Sequence, residues 1–156
     1  MIYQTGKSEF IGRINPIFTS TEVFRLKATK EQFANKLVEL FPEKKKALMQ
    51  HYEDYGELLG HIFFSDEINV PLFDLLQKNA SGFEISTYCQ FVEEMWRNGT
   101  DDVVNIVDVT IAERLSDDET VWNRFGENIS NEFKVYINDD LLNNNIAMCG
   151  VAKLDV

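Results

Sequence analysis

The chain has 156 residues, 44% of them apolar, with twelve Phe, five Tyr and two Trp against three Pro and eight Gly. That composition excludes a disordered chain, allows one domain with a substantial core, and leaves too little turn punctuation for a many-stranded β-sandwich. Residues 1–50 carry nine Lys/Arg and five Asp/Glu, whereas residues 51–140 carry five Lys/Arg and twenty Asp/Glu. An acidic body of that kind repels nucleic acid and anionic membranes and suits a positively charged protein partner.

No apolar run approaches the ~20 residues of a membrane-spanning helix, and Met1 to Arg13 lack the apolar segment of a signal peptide. The expectation is a cytoplasmic protein with Cys89 and Cys149 reduced; their separation fits neither a metal nor a redox motif.

Residues 1–27 are rich in Thr, Ser, Ile and Phe without helical rhythm, which predicts an extended arm or short strands. Thr29-Lys30-Glu31-Gln32 spells a capping box, and Phe33, Leu37, Leu40 and Phe41 follow at helical spacing. A second helix is predicted over about 42–52, with Ala47, Leu48 and His51 on one side. Its Lys44-Lys45-Lys46 run stands in the first turn, where cations oppose the helix macrodipole. Gly56 and Gly60 bracket a loop, His61-Ile62-Phe63-Phe64 forms an apolar knot, and Ser65 and Asp66 are expected to cap a third helix through Lys78.

A fourth helix over about 83–97 aligns Ile85, Tyr88, Cys89, Val92 and Trp96, with Asn98-Gly99 expected to end it in the left-handed conformation. Residues 103–115 are heavily β-branched, which favours a strand. Their length, acidic opening and Ala-Glu-Arg-Leu continuation favour a buried central helix with Val104, Val107, Ile111 and Leu115 on one face. Ser116-Asp117-Asp118-Glu119 is a second capping-box spelling before Val121, Trp122 and Phe125. A last helix is predicted over about 128–142, ended by Asn143-Asn144-Asn145 and followed by an apolar tail. The expected fold is therefore an all-α, single-domain bundle of about six or seven helices with short connections. Its divisions are an arm (1–27), a helical domain (28–142) and a tail (143–156).

No residue constellation identifies an enzyme. There is no nucleophile elbow, phosphate loop or calcium loop, and no cofactor is implied. His51, Asp54, Glu57 and His61 have metal-ligand chemistry but no known metal spacing, so a metal-dependent enzyme on His51 and His61 is the alternative to a binding protein. Helix capping accounts for Asp101-Asp102 and Asp117-Asp118. Lys44, Lys45, Lys46, Asp139 and Asp140 stand at the electrostatically unfavourable ends of their helices and are the candidate partner-binding residues.

The segment Val103 to Leu115, together with Phe41-Pro42-Glu43 and His61-Ile62-Phe63-Phe64, resembles a family of small, acidic, all-helical bacterial proteins of unknown function over about residues 30–140. Proteins of that type look like immunity partners of bacterial toxins, so the resemblance implies a non-enzymatic inhibitor of a basic toxin. It carries over Asn105 and Glu113, with no role assigned. On an α-helix these two lie about 80° apart and are expected to be partly buried and hydrogen-bonded, or to line a small cleft. A further alternative is self-association, the basic N-terminal third of one copy docking on the acidic body of another as a homodimer.

Overall fold

The computed structural model describes residues 26–80, 82–143 and 153–156, which form seven helices; the only β pairing among these residues is an isolated bridge between Ala28 and Gly99. The all-α expectation holds. The arm expected over 1–27 falls outside the described residues except for its last two.

Helix α1 (Lys30–Leu40) begins with the expected capping box. The Gln32 N–H donates to Thr29 Oγ1 at 3.2 Å while the Thr29 N–H donates to Gln32 Oε1 at 2.9 Å. A 3₁₀ turn (Pro42–Lys44) leads into α2 (Lys45–Tyr55), which closes on Gly56 at φ 76°. Helix α3 is one continuous rod of three stretches, Gly60–Phe64, Ser65–Asn69 and Val70–Lys78, the middle one π-helical. It therefore starts five residues before the expected Ser65 cap, and Ser65 and Asp66 lie inside its π-turn. Burial of Phe63 and Phe64 draws the apolar knot into the helix, and the His51 Nε2 accepts the Leu59 N–H at 3.0 Å at its entry.

Helix α4 (Gly82–Asn98) buries Ile85, Tyr88, Cys89 and Val92. Gly99 is not left-handed: among the described residues only Gly56 and Asn79 have positive φ. A Cβ on Gly99 would overlap the Met95 carbonyl and Val103, so close packing of the α4–α5 corner is what requires glycine there. The chain entering α1 stitches this corner, with the Ala28 N–H donating to the Asn98 carbonyl at 2.8 Å and the Thr100 N–H to the Ala28 carbonyl at 3.0 Å.

Helix α5 is again continuous: Asp101–Ile106, a π-helical stretch Val107–Ala112, and Glu113–Leu115. It packs on α3, α4, α6 and α7, the position expected of the central helix. It is not enclosed on all sides, since Asn105, Val109 and Glu113 are exposed. Helix α6 (Glu119–Gly126) is capped by Asp118, whose carboxylate accepts the Val121 N–H at 2.9 Å. The expected Ser116 box does not form, because the Ser116 hydroxyl donates back to the Glu113 carbonyl at 2.7 Å.

Helix α7 (Asn131–Asn143) starts three residues later than expected. Ser130 Oγ accepts the Phe133 N–H at 3.2 Å, while Glu93 accepts the Ser130 N–H and hydroxyl. The end of the tail is held too. Asn138 accepts the Leu154 N–H at 2.9 Å and donates to the Leu154 carbonyl at 3.0 Å, imitating a strand partner. Leu154 is buried against Gly126, where a Cβ would come within 2.8 Å of it.

Candidate functional site

Two helices with π-turns pack against each other at α3 and α5. A π-turn takes one more residue than an α-turn and is common at functional positions, because it redirects side chains without ending the helix. Gly60 lies on Ile106, Asn69 on Thr110, and Phe73 under the Arg114 guanidinium at 5.2 Å. These contacts advance together along both helices, which therefore run parallel. The seam between the π-turns is polar: the Asn69 amide donates to the Thr110 carbonyl at 2.6 Å, and His61 Nδ1 and Thr110 Oγ1 are 2.6 Å apart. Asn69 is buried, and its Oδ1 has no hydrogen-bond partner among the described residues.

The extra residue also sets what faces outward. On α3, Gly60, Phe64, Ile68, Leu72 and Leu76 are buried, and Ile62, Asp66 and Val70 form one exposed stripe. On α5, Val103, Val107, Ile111 and Leu115 are buried, and Asn105, Val109 and Glu113 are exposed. One inserted residue removes about 100° of rotation, so Asn105 and Glu113 come within about 20° of each other instead of the 80° of a regular helix. The expected partial burial of this pair is therefore corrected: both are exposed, one turn on either side of Val109. Ile62, Val70 and Val109 are 41%, 63% and 44% exposed, large values for aliphatic side chains. Asp66 and Glu113 beside them have no ion-pair partner among the described residues.

The other candidate residues are dispersed. The Lys44 side chain is 11% exposed; its Nζ pairs with Glu67 at 3.1 Å and lies over the Phe41 and Tyr88 rings. It is an interior cation. Burial works against its charge, but the Tyr88 and Glu67 contacts outweigh that and raise its pKa. Lys45 and Lys46 are exposed and line a shallow depression of about 420 Å³ with Pro42, Met49 and Glu53. Asp139 is exposed on α7 and Asp140 half-buried.

Asp140 stands near Asp108, whose carboxyl is pushed up to about 6, chiefly by burial and further by the Asp140 charge, against the pull of the Tyr136 hydroxyl donating to it at 2.8 Å. His51 and His61 serve backbone and Thr110 contacts on separate elements, and among the described residues no three His, Cys, Asp or Glu side chains are grouped to hold a metal. The Cys89 thiol is pushed up to about 12, first by burial and then by Glu93, which makes it a poor nucleophile.

Of the exposed α3–α5 face, only Asn105 and Glu113 stood out from the sequence. Ile62, Asp66 and Val70 have the i, i+4 spacing of a surface stripe, but that signal appears only once the helix is known to begin at Gly60.

The fold thus defines a class: an all-α bundle centred on two parallel helices with paired π-turns. The chain belongs to the family described as a domain of unknown function, DUF7674, which it matches over residues 34–143. No curated protein and no solved structure matches it. No helix among the described residues is long and apolar enough to cross a membrane.

Proposed function

We propose that this chain is a non-enzymatic binding module for a basic protein, in its most concrete form an immunity-type inhibitor of a basic toxin. The observation that carries this reading is the exposed α3–α5 face, where carboxylates with no ion partner among the described residues alternate with exposed aliphatic side chains. Aliphatic groups supply area to bury, and the carboxylates speed the encounter with a cation and fix its orientation. The net charge of −11 acts in the same direction over a longer range. Other acids, such as Glu67 with Lys44 and Glu93 with Arg97, are engaged in ion pairs within the fold.

The test is to purify the tagged chain with its stoichiometric partner from its native source and to measure the affinity of the separated proteins across salt. The expected partner carries net positive charge and binds at least about tenfold more weakly at 0.5 M than at 0.05 M salt, as screening of charge pairs requires. A partner bound equally well at both salt concentrations, or no stoichiometric partner, overturns the proposal.

A further inference from the structure

Resting on that reading, we infer that the α3–α5 face receives an amphipathic, Lys/Arg-rich helix of the partner, laid along the two stripes. Ile62 and Val70 stand about two turns apart, roughly 10–12 Å, which matches the i and i+7 positions of an incoming helix. Val109 on the neighbouring stripe supplies a third apolar contact, reached by the residues at i+3 or i+4. Asp66 lies between the two α3 anchors and Glu113 one turn beyond Val109, so cations flanking the apolar stripe of the partner meet a carboxylate on each ridge, while Arg114 in the seam lies over Phe73 and faces Asp117 at 3.6 Å. Asn105 adds a neutral donor and acceptor at the other end. Charge complementarity selects the occupant: an uncharged or acidic helix would bury the same aliphatic groups but leave Asp66 and Glu113 desolvated without a counter-charge.

The probe is a synthetic 18-residue Lys/Leu peptide with Leu at helical i, i+3, i+4 and i+7 positions, compared with a scrambled peptide of equal composition. Binding to the full chain at about 0.05 M salt is followed by backbone amide chemical shifts. The expected result is shifts centred on Ile62, Asp66, Val70, Asn105, Val109 and Glu113, weaker binding by the scrambled peptide, and at least about tenfold loss in the Asp66→Lys/Glu113→Lys double variant, as for reversed charges at an interface. Asp139→Lys on α7 retains binding. Shifts confined to another face, or equal binding of both peptides, overturn this inference while leaving the basic-partner reading to its own test. A dimer in ultracentrifugation that the double variant dissociates also overturns it, because the occupant is then a second copy of the chain.

Discussion

The side-chain amide of Asn69 donates to the main-chain carbonyl of Thr110 at 2.6 Å, tying the π-turn of α3 to that of α5. A π-turn weakens the regular ladder of backbone hydrogen bonds, and the carbonyls it redirects need partners when buried. Asn69 supplies one from the neighbouring helix, so the π-turn of α5 leans on that of α3. Replacing Asn69 by Ala leaves the Thr110 carbonyl without this donor and opens a small gap. The expected cost is about 1–3 kcal/mol, read as a lower urea midpoint with an unchanged m-value.

Asp108 makes stability depend on pH in the sense opposite to a salt-bridged acid. Its folded pKa of about 6 lies above its ordinary value of 3.8, so the folded state binds the proton more tightly than the unfolded chain. Stability from this group is full below the unfolded value and declines as pH rises through about 6. Asp108→Asn keeps an acceptor for the Tyr136 hydroxyl and removes the charge. It is expected to stabilise the protein at pH 7 by about 1 kcal/mol, discounted for partial solvent screening. That gain shrinks toward zero at pH 4, which thermal melts of both proteins at the two pH values will show.

Lys44 and its neighbours separate interior from surface cations. Lys44→Met retains the aliphatic stem against Phe41 and Tyr88 but strands the Glu67 carboxylate, which is 19% exposed. The expected loss is about 2–4 kcal/mol, somewhat below that for breaking a fully buried pair. The Lys44→Met/Glu67→Leu double variant recovers most of it, a coupling that a double-mutant cycle measures. Lys45→Ala and Lys46→Ala, at exposed positions, stay within about 0.5 kcal/mol of the parent.

Asn138 holds the end of the chain through two hydrogen bonds to Leu154. Asn138→Ala removes both and weakens the seat of Leu154 against Gly126. Amide protection at Leu154 is expected to disappear in hydrogen exchange, with a global loss of only about 1–2 kcal/mol because the remaining bundle is intact. Protection retained at Leu154 would show that apolar burial alone holds the tail.

The all-α class, a count of about six or seven helices, the Thr29 cap and most of the core can be read from the residues alone. These follow from local periodicity and capping chemistry: Phe33 with Leu37, Ile85 with Cys89 and Val92, and Phe133 with Ile137 each mark a buried face at helical spacing. Even the β-branched run of α5 was legible as a helix, because its length and flanking residues outweighed intrinsic propensity. The rest arises from contacts between elements. The start of α3 at Gly60 depends on Phe63 and Phe64 finding a core and on His51 accepting the Leu59 N–H, a contact between separate elements. In the π-turn of α5 the Thr110 carbonyl takes its donor from Asn69 of α3, again a contact between separate elements. Because each π-turn shifts the phase of every later residue, the exposed Ile62–Asp66–Val70 and Asn105–Val109–Glu113 stripes emerge only when the two helices are packed together, and a regular 100° projection places Asn105 and Glu113 on different parts of the surface.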